Sequence, residues 1–328
     1  MSPKIRLGIT LGCPAGVGPE IITKALQRRF PSDLSLLVLG DKTALEKAAR
    51  ITRSFLPPFI SLKELEHPPD KALLPVSNLQ EIEFGRPSKA TAEAMVRYIK
   101  EGVRLCLEGK LHGLVTAPIS KAALRLAGET FPGHTEMLAA LTRAKEIAMA
   151  FYGKKLKIVL VTIHVPLEEV PKLLNVQKIL TVTRLAYQFL KQDLGLASPR
   201  LALAALNPHA GEGGLFGNQE IRVLTPAVKE AQRQGLPLEG PFPADSLFFR
   251  AVAGEFDLVV SLYHDQGLIP FKLLHFRDGV NLTLGLPIIR TSVDHGTAYD
   301  LAGQGRASEE SLLAAINLAY KMAKNRFF

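Results

Sequence analysis

Three histidines each follow a short apolar run. His164 comes after Ile158–Ile163, His209 comes after Leu201–Leu206 with two residues between, and His264 comes after Leu258–Tyr263. Each run is typical of a buried strand, and open α/β sheets bind ligands beyond the carboxyl ends of their strands. One such histidine is more often structural, but three in the same position favour a metal site. Three neutral imidazoles leave a coordination position open, as in catalytic zinc sites. The pattern predicts a divalent metal held by these residues, which need not belong to one subunit.

Polar neighbours of these and other histidines suggest further roles. Asp265 directly follows His264 and is a candidate to support the metal ligand or to accept a proton, with a solvated loop position as the alternative. His134 and Thr135 lie in a turn that precedes a predicted helix. Helix N-termini bind anions through their unsatisfied N–H groups, so this turn is a candidate anion site, unless Thr135 only caps the helix.

The charge balance favours a small anionic ligand. Lys and Arg exceed Asp and Glu by 9. The basic residues are spread along the chain without a basic tail or interleaved aromatic residues, so nucleic-acid binding is not expected. Lys272, Asn281 and Arg290 lie in the stretch 271–290. Lys and Arg are the usual partners of phosphate, which makes these residues candidates for substrate binding.

The first loop, Gly12–Glu20, is rich in Gly and Pro and could cradle a phosphate. It contains neither the GxGxxG pattern nor the Lys-Ser/Thr of a P-loop, so a nicotinamide cofactor would bind in a non-Rossmann manner. The loop carries Cys13, and the second cysteine is Cys106. Two distant cysteines form no disulfide framework and no CxxC metal pair, which indicates a reducing compartment.

Short apolar runs alternate with longer helical patterns, which is typical of an α/β protein. Strands are predicted at 6–11, 34–39, 113–116, 158–162, 201–206 and 258–262. Helices are predicted at 19–29, 88–108, 120–127, 176–192, 219–234 and 308–324. The proline-rich stretch Phe55–Val76 is predicted to be irregular. Because no linker is visible, a second domain is expected to form where the chain crosses over and returns.

Length and composition set further limits. The 328 residues, 47% of them hydrophobic, suffice for one large or two medium domains. No apolar run reaches the roughly 18 residues of a membrane helix, and the N-terminus has no secretory signal core. We therefore expect a cytoplasmic protein without membrane contact.

Seven segments together resemble one family. They are Pro14–Glu20, Thr116–Lys121, Pro132–Glu136, Asn207–Gly214, Gly240–Asp245, Tyr263–Gly267 and Asn281–Thr297. In these segments the chain resembles the 4-hydroxythreonine-4-phosphate dehydrogenases, the PdxA family of vitamin B6 (pyridoxal phosphate) biosynthesis. The similarity runs nearly from end to end, and its two longest motifs are highly specific.

The resemblance implies an isocitrate/isopropylmalate dehydrogenase-like fold with the active-site cleft between two α/β domains. We place these approximately at 1–130 plus 286–328 and at 131–285. It implies a homodimer whose subunits share the active site, with His164, His209 and His264 as metal ligands across the interface. Zinc is the expected metal, with magnesium and cobalt as alternatives. The implied substrate-binding residues are His134, Thr135, Lys272, Asn281 and Arg290.

The family oxidises 4-(phosphooxy)-L-threonine with NAD or NADP, and the β-keto acid then loses CO2 to leave 3-amino-2-oxopropyl phosphate. Asp245 and Asp265 are candidates for proton transfer or for contacts behind the metal ligands. Cys13 departs from the family, which commonly has an acidic residue there.

Three alternatives stay open at this point. The first is a paralogue that acts on threonate or erythronate 4-phosphate. The second is a phosphate acyltransferase-like enzyme, and the third is a non-enzymatic anion-binding protein.

Overall fold

The computed structural model describes residues 4–328; residues 1–3, the start of the predicted first domain, lie outside the described residues. The strands are β1 (Ile5–Thr10), β2 (Leu34–Asp41), β3 (Lys71–Ser77), β4 (Gly113–Thr116), β5 (Ala148–Tyr152), β6 (Lys157–Leu160), β7 (Leu201–Ala204), β8 (Leu238–Phe242), β9 (Leu258–Ser261), β10 (Val280–Leu284) and β11 (Arg290–Val293). The α-helices are α1 (Gly18–Ala25), α2 (Lys42–Thr52), α3 (Lys89–Leu107), α4 (Lys121–Leu126), α5 (His134–Thr142), α6 (Val170–Leu173), α7 (Val176–Gln188), α8 (Thr225–Arg233), α9 (Ala244–Val252), α10 (His264–His275) and α11 (Glu310–Phe327). The predicted α/β class is confirmed.

The chain forms two compact units. The first unit comprises Met1–Lys145 and Leu286–Phe328, and the central unit comprises Glu146–Gly285. Residues 131–145, for which the sequence predicts membership of the second domain, belong to the first unit. The reason is that α5 packs against α3 there.

The first unit is built on parallel strands in the order β3-β2-β1-β4-β11. Every residue of β2 and of β4 is buried, as expected for a parallel sheet covered on both faces. Helix α11 packs against β11 and β4. The carboxyl ends of these two strands therefore lie side by side, which brings Arg290 next to Leu114 in register and Ser292 next to Thr116.

The central unit has the strand order β10-β5-β6-β9-β7-β8. Strands β6, β9, β7 and β8 run parallel to one another, whereas β5 is antiparallel to both of its neighbours, β10 and β6. The sequence pattern did not reveal these antiparallel pairs. A buried cluster that includes Phe151, Ile158, Val259 and Phe271 forms the core between this sheet and α10.

Predicted and observed elements agree best where caps and apolar runs are clear. Helix α3 follows the prediction closely, and the Ser88 side chain accepts a hydrogen bond from the Thr91 amide at its start. The prediction of irregular structure over Phe55–Val76 is wrong, since most of β3 and a 3-10 turn lie within it. Strand β3 tolerates Pro75 because it is the edge strand of its sheet. Within the described part of the chain, no helix combines the length and apolar character needed to cross a membrane.

Candidate active site

His164 and His264 lie side by side because two parallel strands end in register. Leu160 of β6 pairs with Ser261 of β9. The pairing continues past the strand ends, where the Thr162 amide and hydroxyl both donate to the Leu262 carbonyl, at 3.0 and 2.7 Å. Two residues further along each segment stands a histidine, and the ring centroids of the two are 5.8 Å apart.

The start of α10 is fixed by its own buried residues. The Gln266 side chain accepts from the Leu262 amide at 2.7 Å and donates to the Ala205 carbonyl at 2.7 Å. It thereby links the turn between β9 and α10 to the segment that follows β7. Gly267 lets the helix approach β6 closely, because a Cβ there would lie 2.8 Å from Ile158 Cδ1. These contacts hold His264 on the first turn of α10.

A carboxylate orients the imidazole of His264. Nδ1 of His264 lies 2.7 Å from Asp265 Oδ1. A carboxylate only accepts, so Nδ1 carries the proton and Nε2 keeps its lone pair, the form that binds a metal. The two rings line an open cavity of about 500 Å³ together with Tyr263 and apolar side chains of the segment 163–170.

His209 is presented differently, by a left-handed turn. Its φ and ψ are 50° and 30°, Ala210 has 52° and 40°, and Glu212 has 43° and 54°. Such a conformation costs roughly 1–2 kcal/mol for each non-glycine residue, so the surrounding structure must enforce it. The exposed His209 ring lies 6.1 Å from that of Phe216. Among residues 4–328, no three His, Cys, Asp or Glu side chains are close enough to hold one metal. The structure therefore brings His164 and His264 together, without His209.

A second cluster of polar residues is buried in the first unit. Arg290, 3% exposed, donates from Nε and one terminal nitrogen to Thr116 Oγ1 at 3.1 and 2.9 Å. The same terminal nitrogen lies 3.3 Å from Nδ1 of His134. Because a guanidinium only donates, Nδ1 is the acceptor and Nε2 of His134 carries the ring proton. This Nε2–H is buried and makes no hydrogen bond within residues 4–328.

Burial controls the ionisation of both members of this cluster. It lowers the pKa of His134 well below 6.5, and the neighbouring Arg290 cation lowers it further. Burial also lowers the pKa of Arg290, to about 9, so the guanidinium is a cation at pH 7. The cluster thus presents a fixed positive charge and a neutral N–H donor, which suits an anionic oxygen.

The other predicted residues are distributed over both units. Thr135 is buried on the first turn of α5 and does not cap it, since the N-cap residue is Gly133 and the helix has no side-chain cap. Lys272 lies on α10 with Nζ 5.7 Å from the ring centre of Phe276, and Asn281 lies on β10. Asp245 is exposed on the first turn of α9, where it accepts from the amide of the next residue.

The first loop does not fit a cofactor phosphate. Residues 11–20 are buried, and three of the loop amides are hydrogen-bonded to carbonyls, namely Cys13 to Pro118, Gly16 to Cys13, and Val17 to Thr297. The phosphate-cradle interpretation is therefore wrong. Burial raises the pKa of the Cys13 thiol, which accepts a hydrogen bond from the Tyr299 hydroxyl at 3.3 Å.

Sequence reasoning missed Gln266, Glu220 and Thr116 as residues that position the site. Gln266 and Thr116 lie inside segments that carry the family resemblance. Glu220 had no such signal, because its hydrogen bonds depend on how the turn after β7 folds back.

Comparison with known proteins identifies the family. The profile of the pyridoxal phosphate biosynthetic protein PdxA matches residues 33–319. A 4-hydroxythreonine-4-phosphate dehydrogenase from Geobacter metallireducens is 48% identical over 98% of this chain and 96% of its own. A D-threonate 4-phosphate dehydrogenase from Salmonella typhimurium is 41% identical over 97% of this chain and 98% of its own. The crystal structure of the 4-hydroxythreonine-4-phosphate dehydrogenase from Klebsiella pneumoniae superimposes with a TM-score of 0.87, at 40% identity, covering 98% of this chain and 99% of that one.

The α/β fold and these relatives define an oxidoreductase of the dehydrogenase class. Within that class, the chain belongs to the PdxA family.

Proposed function

We propose that this enzyme oxidises 4-(phosphooxy)-L-threonine with NAD or NADP, and that the product loses CO2 to give 3-amino-2-oxopropyl phosphate, in cytoplasmic pyridoxal phosphate biosynthesis. The observation that carries the proposal is the 48% identity to a relative of that activity over 98% of the chain, against 41% to the D-threonate enzyme. The nicotinamide dinucleotide is the hydride-accepting co-substrate.

A divalent metal, zinc first among the candidates, fits the histidine pair. Both rings line one cavity, and Asp265 fixes His264 in the tautomer that coordinates through Nε2. Such a metal supplies a Lewis acid that lowers the pKa of a substrate hydroxyl and stabilises negative charge on its oxygen. We propose His164 and His264 as two ligands from one subunit, and His209 of a second copy as the third.

The buried cluster supports binding of an anionic substrate. Arg290 supplies a positive charge, and His134 supplies an unpaired Nε2–H donor in a site removed from water. Thr135, Lys272 and Asn281 complete the proposed set of substrate contacts. Asp245 and Asp265 are the proposed acid–base residues, and Asp265 also orients His264.

An apolar face on α10 supports a homodimer. Ile269 and Leu273, on the helix that carries His264, and Phe276, directly after its end, are 60%, 82% and 78% exposed. Large apolar side chains exposed together are typical of an interaction surface. A second copy that covers this face could deliver His209 to the pair.

The first experiment measures NADH or NADPH formation with 4-(phosphooxy)-L-threonine, before and after chelation and with metal added back. Activity that is lost on chelation and returns with zinc, magnesium or cobalt supports the proposal. Turnover of D-threonate 4-phosphate alone would reassign the substrate to the paralogue. No turnover of either would contradict the proposed reaction.

Complementation between inactive variants tests the shared site. We expect His209→Ala and His264→Ala each to be inactive, and their refolded 1:1 mixture to regain about a quarter of wild-type activity, because mixed dimers then contain one intact site. The matched control mixes His164→Ala with His264→Ala, which we expect to stay inactive, since both ligands come from one subunit. Equal activity in the two mixtures would contradict the shared site.

A further inference from the structure

The left-handed turn that carries His209 is held by one buried carboxylate. Glu220 is 4% exposed and begins the π-helical turn Glu220–Leu224 that leads into α8. Its Oε1 accepts from the amides of Leu206 and Asn207, at 2.9 and 2.8 Å. Its Oε2 accepts from Asn207 Nδ2 at 2.9 Å. The carboxylate therefore fixes the two residues through which the chain leaves β7.

The same carboxylate contacts the turn on the far side of His209. A Cβ on Gly211 would lie 2.8 Å from Glu220 Oε2, so the turn packs directly on the carboxylate. Glu220 thus contacts the chain two residues before and two residues after His209. Asn207 Nδ2 also donates to Gln219 Oε1 at 2.8 Å, which adds a second tie to the same helical segment.

This arrangement explains why a strained turn persists. His209, Ala210 and Glu212 all have positive φ, and a chain free to relax would leave that region. Charge-assisted hydrogen bonds to a buried carboxylate are about twice as strong as neutral ones, so three of them can offset this cost. Removing the carboxylate would release the turn while leaving the His209 side chain in place.

We infer that Glu220 is a positioning residue that holds the His209 turn in the conformation from which His209 binds the metal. The inference rests on the proposed function, because His209 must be a ligand for its position to matter. Glu220 is not one of the proposed metal ligands or substrate contacts, and it acts on His209 through Asn207 and Gly211.

The test measures Co²⁺ affinity of the metal-free dimer by absorption titration. Glu220→Gln retains the size of the side chain, but its NH2 group must face either the backbone amides or Asn207 Nδ2, so a hydrogen bond is lost. We expect Co²⁺ to bind about 10- to 100-fold more weakly, the usual effect of removing a residue that orients a ligand. Activity should return at high metal concentration, because only affinity has changed.

Glu230→Gln is the matched control. Glu230 lies on α8 and accepts hydrogen bonds from Arg233 and Gln234 within its own helical segment. The Glu230→Gln variant should therefore bind Co²⁺ as the wild type does. If Glu220→Gln does not fold, Asn207→Ala decides the matter. This substitution removes only the hydrogen bonds of the Asn207 side-chain amide, so it should weaken Co²⁺ binding measurably but less than tenfold.

The outcomes separate the inference from the function it rests on. His209→Ala, titrated in parallel, should lose tight Co²⁺ binding. If His209→Ala binds as the wild type does, the ligand assignment fails. If His209→Ala loses binding but folded Glu220→Gln or Asn207→Ala keeps wild-type affinity, the positioning role alone is overturned. A lower melting temperature of the metal-free variants with unchanged affinity would likewise overturn it.

Discussion

The two polar clusters of this enzyme hold their histidines in opposite environments. In the central unit, His164 and His264 line an open cavity, and the register of β6 and β9 brings their rings together. In the first unit, His134 is partly buried against Arg290, and its Nε2 is fully enclosed. The open pair borders the cavity, and Asp265 orients the ring of His264, whereas burial keeps His134 neutral as a hydrogen-bond donor. The environment, more than the residue type, decides what each imidazole can do.

The largest expected effect comes from removing one member of the open pair. We expect His264→Ala to lose tight Co²⁺ binding and to lower kcat/KM by about three orders of magnitude or more, since a Lewis acid contributes several kcal/mol. Steady-state kinetics and metal analysis measure this. His67→Ala, at an exposed position of the first unit, is the control. Metal retained at wild-type stoichiometry would show that the open pair is not a ligand pair.

The next largest effect is expected on the stability of the segment that positions the open pair. We expect Gln266→Leu to lower the free energy of unfolding by about 2–5 kcal/mol, because the Leu262 amide and the Ala205 carbonyl both lose a buried partner. Urea denaturation measures it. Gln232→Leu, which removes one bond at an exposed residue, should cost far less. Equal losses of unfolding free energy in the two variants would mean that Gln266 does not fix the turn between β9 and α10.

The buried cluster should be visible in the pH dependence of stability. His134 has a lowered pKa in the folded chain, so below pH 6.5 the unfolded chain takes up a proton that the folded chain does not. Stability should therefore fall as the pH drops below 6.5, with a contribution of up to about 1.4 kcal/mol per pH unit from His134.

Replacing His134 isolates that contribution. His134→Asn keeps an acceptor for Arg290 and should flatten the slope of unfolding free energy between pH 6 and pH 5, in line with the ordinary pKa of about 6.5. His67→Gln is the control. A slope unchanged in His134→Asn would contradict the neutral, buried state of His134.

The smallest effect compares two glycines of the His209 turn. Gly211 and Gly213 have φ of +78° and +65°, so alanine at either is strained by about 1 kcal/mol. Only at Gly211 would the new Cβ meet Glu220, whereas nothing lies within 4 Å at Gly213. We expect Gly211→Ala to weaken Co²⁺ binding more than Gly213→Ala does. Equal affinities would argue against the contact between the turn and Glu220.

Sequence patterns predicted the structural features that depend on residues close together in the chain. The apolar runs located β4, β6, β7 and β9, and each of the three histidines lies beyond the end of its strand as the pattern indicated. They did not reveal that His134 lies against Arg290, 156 residues away, since that contact depends on how β11 is placed beside β4. The left-handed turn was also hidden, because its conformation is set by a glutamate beyond it.

The two cysteines give the first unit a chemical reporter of its own. Burial raises the pKa of Cys13, and it raises that of Cys106 to about 12, so neither thiol is ionised at neutral pH. Only the thiolate reacts with disulfide or maleimide reagents. Cys13 is also buried, so its modification requires this part of the chain to open, and its labelling rate reports that opening without any signal from the cysteine-free central unit.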